Sequence, residues 1–290
     1  MYKCFRLRLS VLMTILSLIA VIAAQTDSEA LYASADTNAD HTVPTLTAIM
    51  YHSVLKDPSR TGDYVITPDE LEQDLSYFSK NGYETVTPEE IISYYDDGTP
   101  LPRKPLLITF DDGHLNNLTY ALPLLEKYDM TAVINVVGSY TLNAEKENDP
   151  NPYYAYLTRN DIKSAIDSGH IFIGCHTYDM HKFDERKGAS KLSYESTEDY
   201  FKAFSDDLER FEALFINSGI SPVVYAFPYG YCSEESYDIL KNNGYRIILT
   251  CNERLNDLTA CNNNGIIVIN RINRSGIVQS DDFMQIHNIL

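Results

Sequence analysis

At 290 residues, 44% hydrophobic and 22% charged, the chain suffices for one large globular α/β domain and needs no second one. Its formal charge of −18, from 41 acidic against 23 basic side chains, repels phosphate backbones and argues against nucleic acid as a partner. Five cysteines at irregular intervals make no disulfide framework, although Cys251 and Cys261 could bridge a loop.

Residues 1–24 read as a signal peptide or an N-terminal membrane anchor. Lys3, Arg6 and Arg8 precede an almost wholly apolar run, residues 9–24. That run is short beside the roughly 20 apolar residues of a membrane-spanning helix. Residues 25–43 are polar, small and aperiodic, as in a flexible tether, which leaves residues 44–290 as the folded domain. A chain exported by such a leader acts outside the cytoplasm, either secreted or held at the outer face of the membrane.

The folded part opens on an apolar strand, Ala48-Ile49-Met50-Tyr51, that ends in His52. Thr67-Pro68-Asp69-Glu70 then predicts a capped helix with Leu71, Leu75 and Phe78 on its buried face, and Thr87-Pro88-Glu89-Glu90 repeats the device. The strand Leu106–Phe110 stops abruptly at Asp111-Asp112-Gly113. Active sites of α/β folds form at strand C-termini, and strand alternation lets adjacent aspartates take different jobs, one on a metal and one on protons. A helix near 116–128 and a strand over 131–137 follow. Residues 139–156, with four tyrosines among Asn, Asp and Pro, break the alternation and read as an insertion: a lid, a sugar-binding rim or a plain surface loop.

A helix at 158–168 leads into the strand Ile171–Cys175, which ends in His176, with His181 five residues on. Alternation turns Cys175 away from His176 into the core. Two imidazoles and a carboxylate suit Zn²⁺ or a similar divalent ion with positions left open. The helix at 197–217 carries an apolar stripe of Phe201, Phe204, Leu208, Phe211 and Phe215. A strand over 222–227 runs into Pro228-Tyr229-Gly230, and a helix at 234–243 and strands at 245–250 and 266–271 complete the domain. Strands alternating with helices imply a parallel sheet, either a barrel or an open doubly wound sheet.

Thr109-Phe110-Asp111-Asp112-Gly113, His176-Thr177 with His181, and Pro228-Tyr229-Gly230 resemble, in this order, the three motifs of the polysaccharide deacetylase family, the NodB-homology domains of carbohydrate esterase family 4. The resemblance covers roughly residues 45–275. Most of the family spaces the two histidines four apart and carries an arginine where this chain has Ala226. Both departures, with Tyr51-His52 near the N-terminus, resemble the poly-β-1,6-N-acetylglucosamine deacetylase branch.

The resemblance implies an irregular (β/α)7-type barrel in a single domain. It also implies a monomeric, metal-dependent hydrolase that removes N-acetyl groups from N-acetylglucosamine residues of an extracellular or cell-wall polysaccharide. On that basis Asp112, His176 and His181 hold the metal, Zn²⁺ or alternatively Co²⁺ or Ni²⁺. Asp111 is the general base, His52 protonates the departing amine, and the backbone N–H of Tyr229 faces the oxyanion. Tyr178, Pro228 and Tyr229 are the expected sugar contacts, the two tyrosines as stacking faces. What orients Asp111 is left open, with Arg271 and Arg274 as candidates. His114 is close enough to Asp112 to touch substrate or, equally, is a solvated helix start; His287 is the rival for the proton donor. An O-acetyl esterase acting on a glycan such as xylan, and a catalytically silent glycan-binding module, are the competing functions.

Overall fold

The computed structural model describes residues 45–216, 218–263 and 265–289. The leader and tether expected at residues 1–43 lie outside the described residues. Among the described residues no helix is long and apolar enough to cross a membrane.

Seven strands, β1 (Thr45–Tyr51), β2 (Pro105–Phe110), β3 (Ala132–Val136), β4 (Ile171–Cys175), β5 (Val224–Ala226), β6 (Ile247–Thr250) and β7 (Ile266–Asn270), pair in chain order and all in parallel. Past Arg271 the chain continues as β8 (Ile272–Asn273), which pairs in parallel with β1, Ile272 opposite Ile49. The last strand thus reaches the first, and the sheet is a nearly closed barrel rather than an open doubly wound sheet. Around it lie α1 (Pro68–Lys80), α2 (Pro88–Asp96), α3 (Leu122–Tyr128), α4 (Gly138–Glu147), α5 (Arg159–Asp167), α6 (Thr197–Ala213), α7 (Glu235–Asn242) and α8 (Ser280–Ile286).

Strands covered on both faces read as continuous apolar runs, and every residue of β2 is buried. Alternate side chains serve two cores. Leu106, Ile108 and Phe110 share a cluster with helix residues such as Phe78, Leu125 and Phe204. Leu107 joins Ala48, Val133, Ala226, Leu249 and Ile269 in the second. Extending that second file by the two-residue period of a strand brings up His52, Asp111, Asn135 and His176 at the C-terminal mouth of the barrel. The periodicity that fills the barrel therefore also delivers its polar groups.

Both expected capping boxes form, Thr67 with Glu70 and Thr87 with Glu90, and a third joins Thr158 to Asp161. Other expectations need correction. Residues 139–156 are not all loop, because α4 takes in their first half, up to Glu147. The helix expected at 116–128 begins as a π-helical turn, Asn117–Ala121, before α3. In α6 the buried stripe runs through Tyr200 rather than Phe201: the Tyr200 phenol donates to the Ala189 carbonyl at 2.7 Å, and Phe201 is left exposed. All four described cysteines are free thiols, so Cys251 and Cys261 are not bridged, whereas Cys175 is buried as expected.

Candidate active site

Each of the three motif loops contains one non-glycine residue in the left-handed region: Asp112 (φ 71°), Thr177 (φ 69°) and Tyr229 (φ 56°). Such backbone costs about 1–3 kcal/mol and tends to cluster at functional sites. At Asp112 it reverses the alternation of β2, so that Asp111 and Asp112 border the same cleft instead of opposite faces. Gly113 follows with φ 73°, and a Cβ there would lie 2.9 Å from Val136 Cγ1.

Asp112 Oδ1 sits 3.1 Å from His181 Nε2 and 3.7 Å from His176 Nε2. One ligand atom from each residue lies within 4.8 Å of the others. His176 Nδ1 is 2.8 Å from the Ala226 carbonyl. A carbonyl only accepts, so Nδ1 carries the proton and the Nε2 lone pair faces the cluster. Asp112 Oδ1 itself is buried with no hydrogen-bond partner. A buried, unpartnered carboxylate oxygen facing two imidazole nitrogens fits a divalent cation with mixed oxygen and nitrogen ligands.

Asp111 is held from two sides. Arg271 donates Nη1 to Oδ1 at 2.7 Å and Nη2 to Oδ2 at 2.8 Å, and its Nε donates to the Thr250 carbonyl. Asn135 Nδ2 donates to Oδ1 at 2.7 Å. The cross-strand neighbour of Asn135 must be glycine, since a Cβ on Gly174 would lie 2.0 Å from Asn135 Oδ1. Burial alone would raise the Asp111 pKa, but the Arg271 guanidinium, aided by His176 and His52, holds it well below the usual carboxylate range. Asp111 is therefore a fixed carboxylate. Arg271, one of two arginines weighed from sequence, is its partner; Arg274 instead pairs with Asp74, Nε to Oδ2 at 2.7 Å. Asn135 was missed, although a lone amide in the otherwise apolar Ala132–Val136 was a readable signal.

His52 lines the same cleft, its ring edge-on to Tyr64 at 4.8 Å and its Nδ1 buried without a partner. Burial lowers its pKa against the opposing pull of Asp111 and Asp112. The cleft has a volume of about 1200 Å³, and Tyr64, Tyr153, Phe183, Tyr229 and Tyr231 add aromatic faces to its walls. Tyr229 is at its mouth, with its hydroxyl 3.3 Å from His181 Nδ1. The structure does not bring Tyr178 or Pro228 to this wall. Tyr178 lies under the Arg210 guanidinium at 3.9 Å, and Pro228 is buried beside Gly188. His287 caps α8 against Phe283 and is not among the residues that line the cleft.

Burial, with His181 close by, lowers the His176 pKa from 6.5 to about 4, although Asp111 and Asp112 oppose the shift. Between those values the unfolded chain binds a proton that the folded chain refuses, so stability rises with pH across the window. Asp111 and Asp112, both depressed, act in the same direction below it. The unfolding midpoint of metal-free protein is expected to fall as the pH is lowered from 7 to 5; an unchanged midpoint in thermal scans contradicts this.

The family model for Polysaccharide deacetylase matches residues 98–248. The poly-beta-1,6-N-acetyl-D-glucosamine N-deacetylase of Escherichia coli is 24% identical over 225 residues, covering 70% of this chain; the chain spans about a third of that relative, 33% of its length. Among solved structures, IcaB from Ammonifex degensii superposes with a TM-score of 0.67 at 27% identity, covering 84% of this chain and 95% of that one. The de-N-acetylase from Aggregatibacter actinomycetemcomitans has a TM-score of 0.69 over 82% of this chain and 99% of that one; at 20% identity it speaks to the fold.

Proposed function

The chain belongs to the polysaccharide deacetylase family, and from that premise we propose that it is a metal-dependent hydrolase removing N-acetyl groups from N-acetylglucosamine residues of an extracellular or cell-wall polysaccharide. The name of the E. coli relative favours a β-1,6-linked glycan as the first substrate to try. The observation that carries the reading is the meeting, in one aromatic-walled cleft, of an unpartnered Asp112 oxygen, two imidazole nitrogens and an Arg271-held carboxylate. The domain boundaries form part of the proposal: residues 1–24 as leader or anchor, 25–43 as tether and 44–290 as a monomeric catalytic domain outside the cytoplasm.

Asp112, His176 and His181 would hold the cation. Zn²⁺, or Co²⁺ or Ni²⁺ in its place, supplies Lewis acidity there, making water more acidic and polarising the acetamide carbonyl. Asp111 accepts a proton from the attacking water; the hydrogen bonds from Arg271 and Asn135 fix the carboxylate against rotation and leave a lone pair of Oδ2 for that proton. His52 delivers a proton to the amine nitrogen as the carbon–nitrogen bond breaks, leaving acetate and a free amino sugar. Burial disfavours the charged form of His52, and the carboxylates of Asp111 and Asp112 offset part of that penalty. The backbone N–H of Tyr229 donates to the oxyanion, while the rings of Tyr229 and Tyr64 offer faces to the sugar.

An amine is a poorer leaving group than an alkoxide, which separates deacetylation from ester hydrolysis. The His52→Ala variant is expected to lose about 10²–10⁴ in rate on an N-acetylated oligomer and much less on an activated acetate ester. Equal losses on both substrates, or none on either, would remove His52 from the role of proton donor.

A further inference from the structure

We propose that the segment 138–157 is a clamp that orients the metal ligands, with Tyr140 and His114 as positioning residues for His181 and Asp112. This rests on the metal-site reading above.

The two ends of the segment grip the two ligand-bearing loops. At its start, Gly138 N–H donates to the Thr177 carbonyl at 3.0 Å and Ser139 N–H to the Tyr178 carbonyl at 2.7 Å, just after His176. At its end, Leu115 N–H donates to the Ala155 carbonyl at 2.9 Å and Leu157 N–H to the Gly113 carbonyl at 2.8 Å, just after Asp112. In the sheet β3 lies between β2 and β4, so these loops are not direct strand neighbours; the segment ties them together above it. The junction at Gly138 is close, because a Cβ there would lie 2.7 Å from Tyr178 Cδ2.

Between its ends the segment builds an aromatic column from one ligand to the other. The Tyr140 hydroxyl lies 3.2 Å from His181 Nδ1. The Tyr140 ring packs on Tyr156 at 4.6 Å, and Tyr156 stacks on His114 at 4.9 Å. His114 Nε2 is 3.5 Å from Asp112 Oδ2. For His181 to offer Nε2 to a cation, its Nδ1 must carry a proton and find an acceptor. Tyr140 supplies that oxygen from a half-buried position between His181 and Tyr156. Tyr229 offers a second oxygen to Nδ1, but it is 45% exposed at the mouth, where an incoming sugar competes for it. At the other end of the column His114 Nε2 faces Oδ2 at 3.5 Å and leaves Oδ1 for the cation.

The test is Co²⁺ affinity of the metal-stripped full chain, by competition with a chromophoric chelator, together with the visible Co²⁺ absorption and thermal unfolding of the metal-free protein. Tyr140→Phe is expected to bind Co²⁺ about 10–100-fold more weakly, with an altered absorption band and an unchanged metal-free midpoint. Tyr156→Phe, which keeps the ring, is expected to bind like wild type. His114→Ala is expected to weaken binding, and His114→Gln, whose amide can still donate to Oδ2, to restore most of it. Affinities of Tyr140→Phe and His114→Ala within twofold of wild type overturn the proposal, as does a loss that merely tracks metal-free stability. Wild type that binds Co²⁺ but deacetylates nothing removes the proposed function and leaves the clamp to its affinity test. Wild type that deacetylates, with Tyr140→Phe binding normally, removes the clamp alone.

Discussion

Replacing Arg271 with methionine is expected to destabilise the metal-free protein by about 3–5 kcal/mol, the range for breaking a buried ion pair from one side. Arg271 and Asp111 are both buried and joined through two parallel hydrogen bonds. Methionine approximates the volume but leaves Asp111 as a buried carboxylate with Asn135 as its one remaining neutral donor. Burial, the largest influence on Asp111, then goes unopposed by the guanidinium, and the carboxyl moves toward its protonated form. Activity should fall with stability, because a protonated Asp111 accepts nothing. Lysine is not a conservative replacement here, since it has no second nitrogen for the bidentate grip. Adding Asp111→Asn to Arg271→Met removes the stranded charge and should recover a large part of the lost stability. Urea unfolding of the single and double variants checks this; a loss under about 1 kcal/mol for Arg271→Met contradicts the buried-pair account.

The sequence was most informative where local rules decide the outcome. Strand ends at Phe110 and Cys175, the capping threonines 67 and 87, and the alternation that buries Cys175 all follow from short-range pattern. The barrel closure did not: β8 has two residues, and its pairing with β1 joins the two ends of the domain. The Arg271–Asp111 pair spans 160 positions, so sequence could nominate Arg271 but not choose it over Arg274. Helix α4 was illegible because it starts without a side-chain cap and its tyrosine and asparagine follow no apolar stripe. Its role depends on Tyr140 reaching His181, 41 positions away. Tyr178, expected as a sugar contact, lies outside the cleft lining for a related reason. A residue two positions after a ligand looks close to the site, yet the left-handed turn at Thr177 sends it under Arg210.

Asp111→Asn is expected to abolish measurable acetate release while leaving the metal in place, which makes it the largest catalytic effect the site predicts. The amide is isosteric, and the proposed cation ligands Asp112, His176 and His181 are untouched. It can no longer take a proton from water, so at least the 10²–10⁴ that a positioned base contributes should vanish. The direct measurement is acetate release from β-1,6- and β-1,4-linked N-acetylglucosamine oligomers by metal-analysed wild type and Asp111→Asn side by side. Release by wild type from at least one oligomer, lost in the variant at equal bound metal, is the predicted result. Metal-loaded wild type that releases no acetate from either oligomer, or a variant as active as wild type, contradicts it.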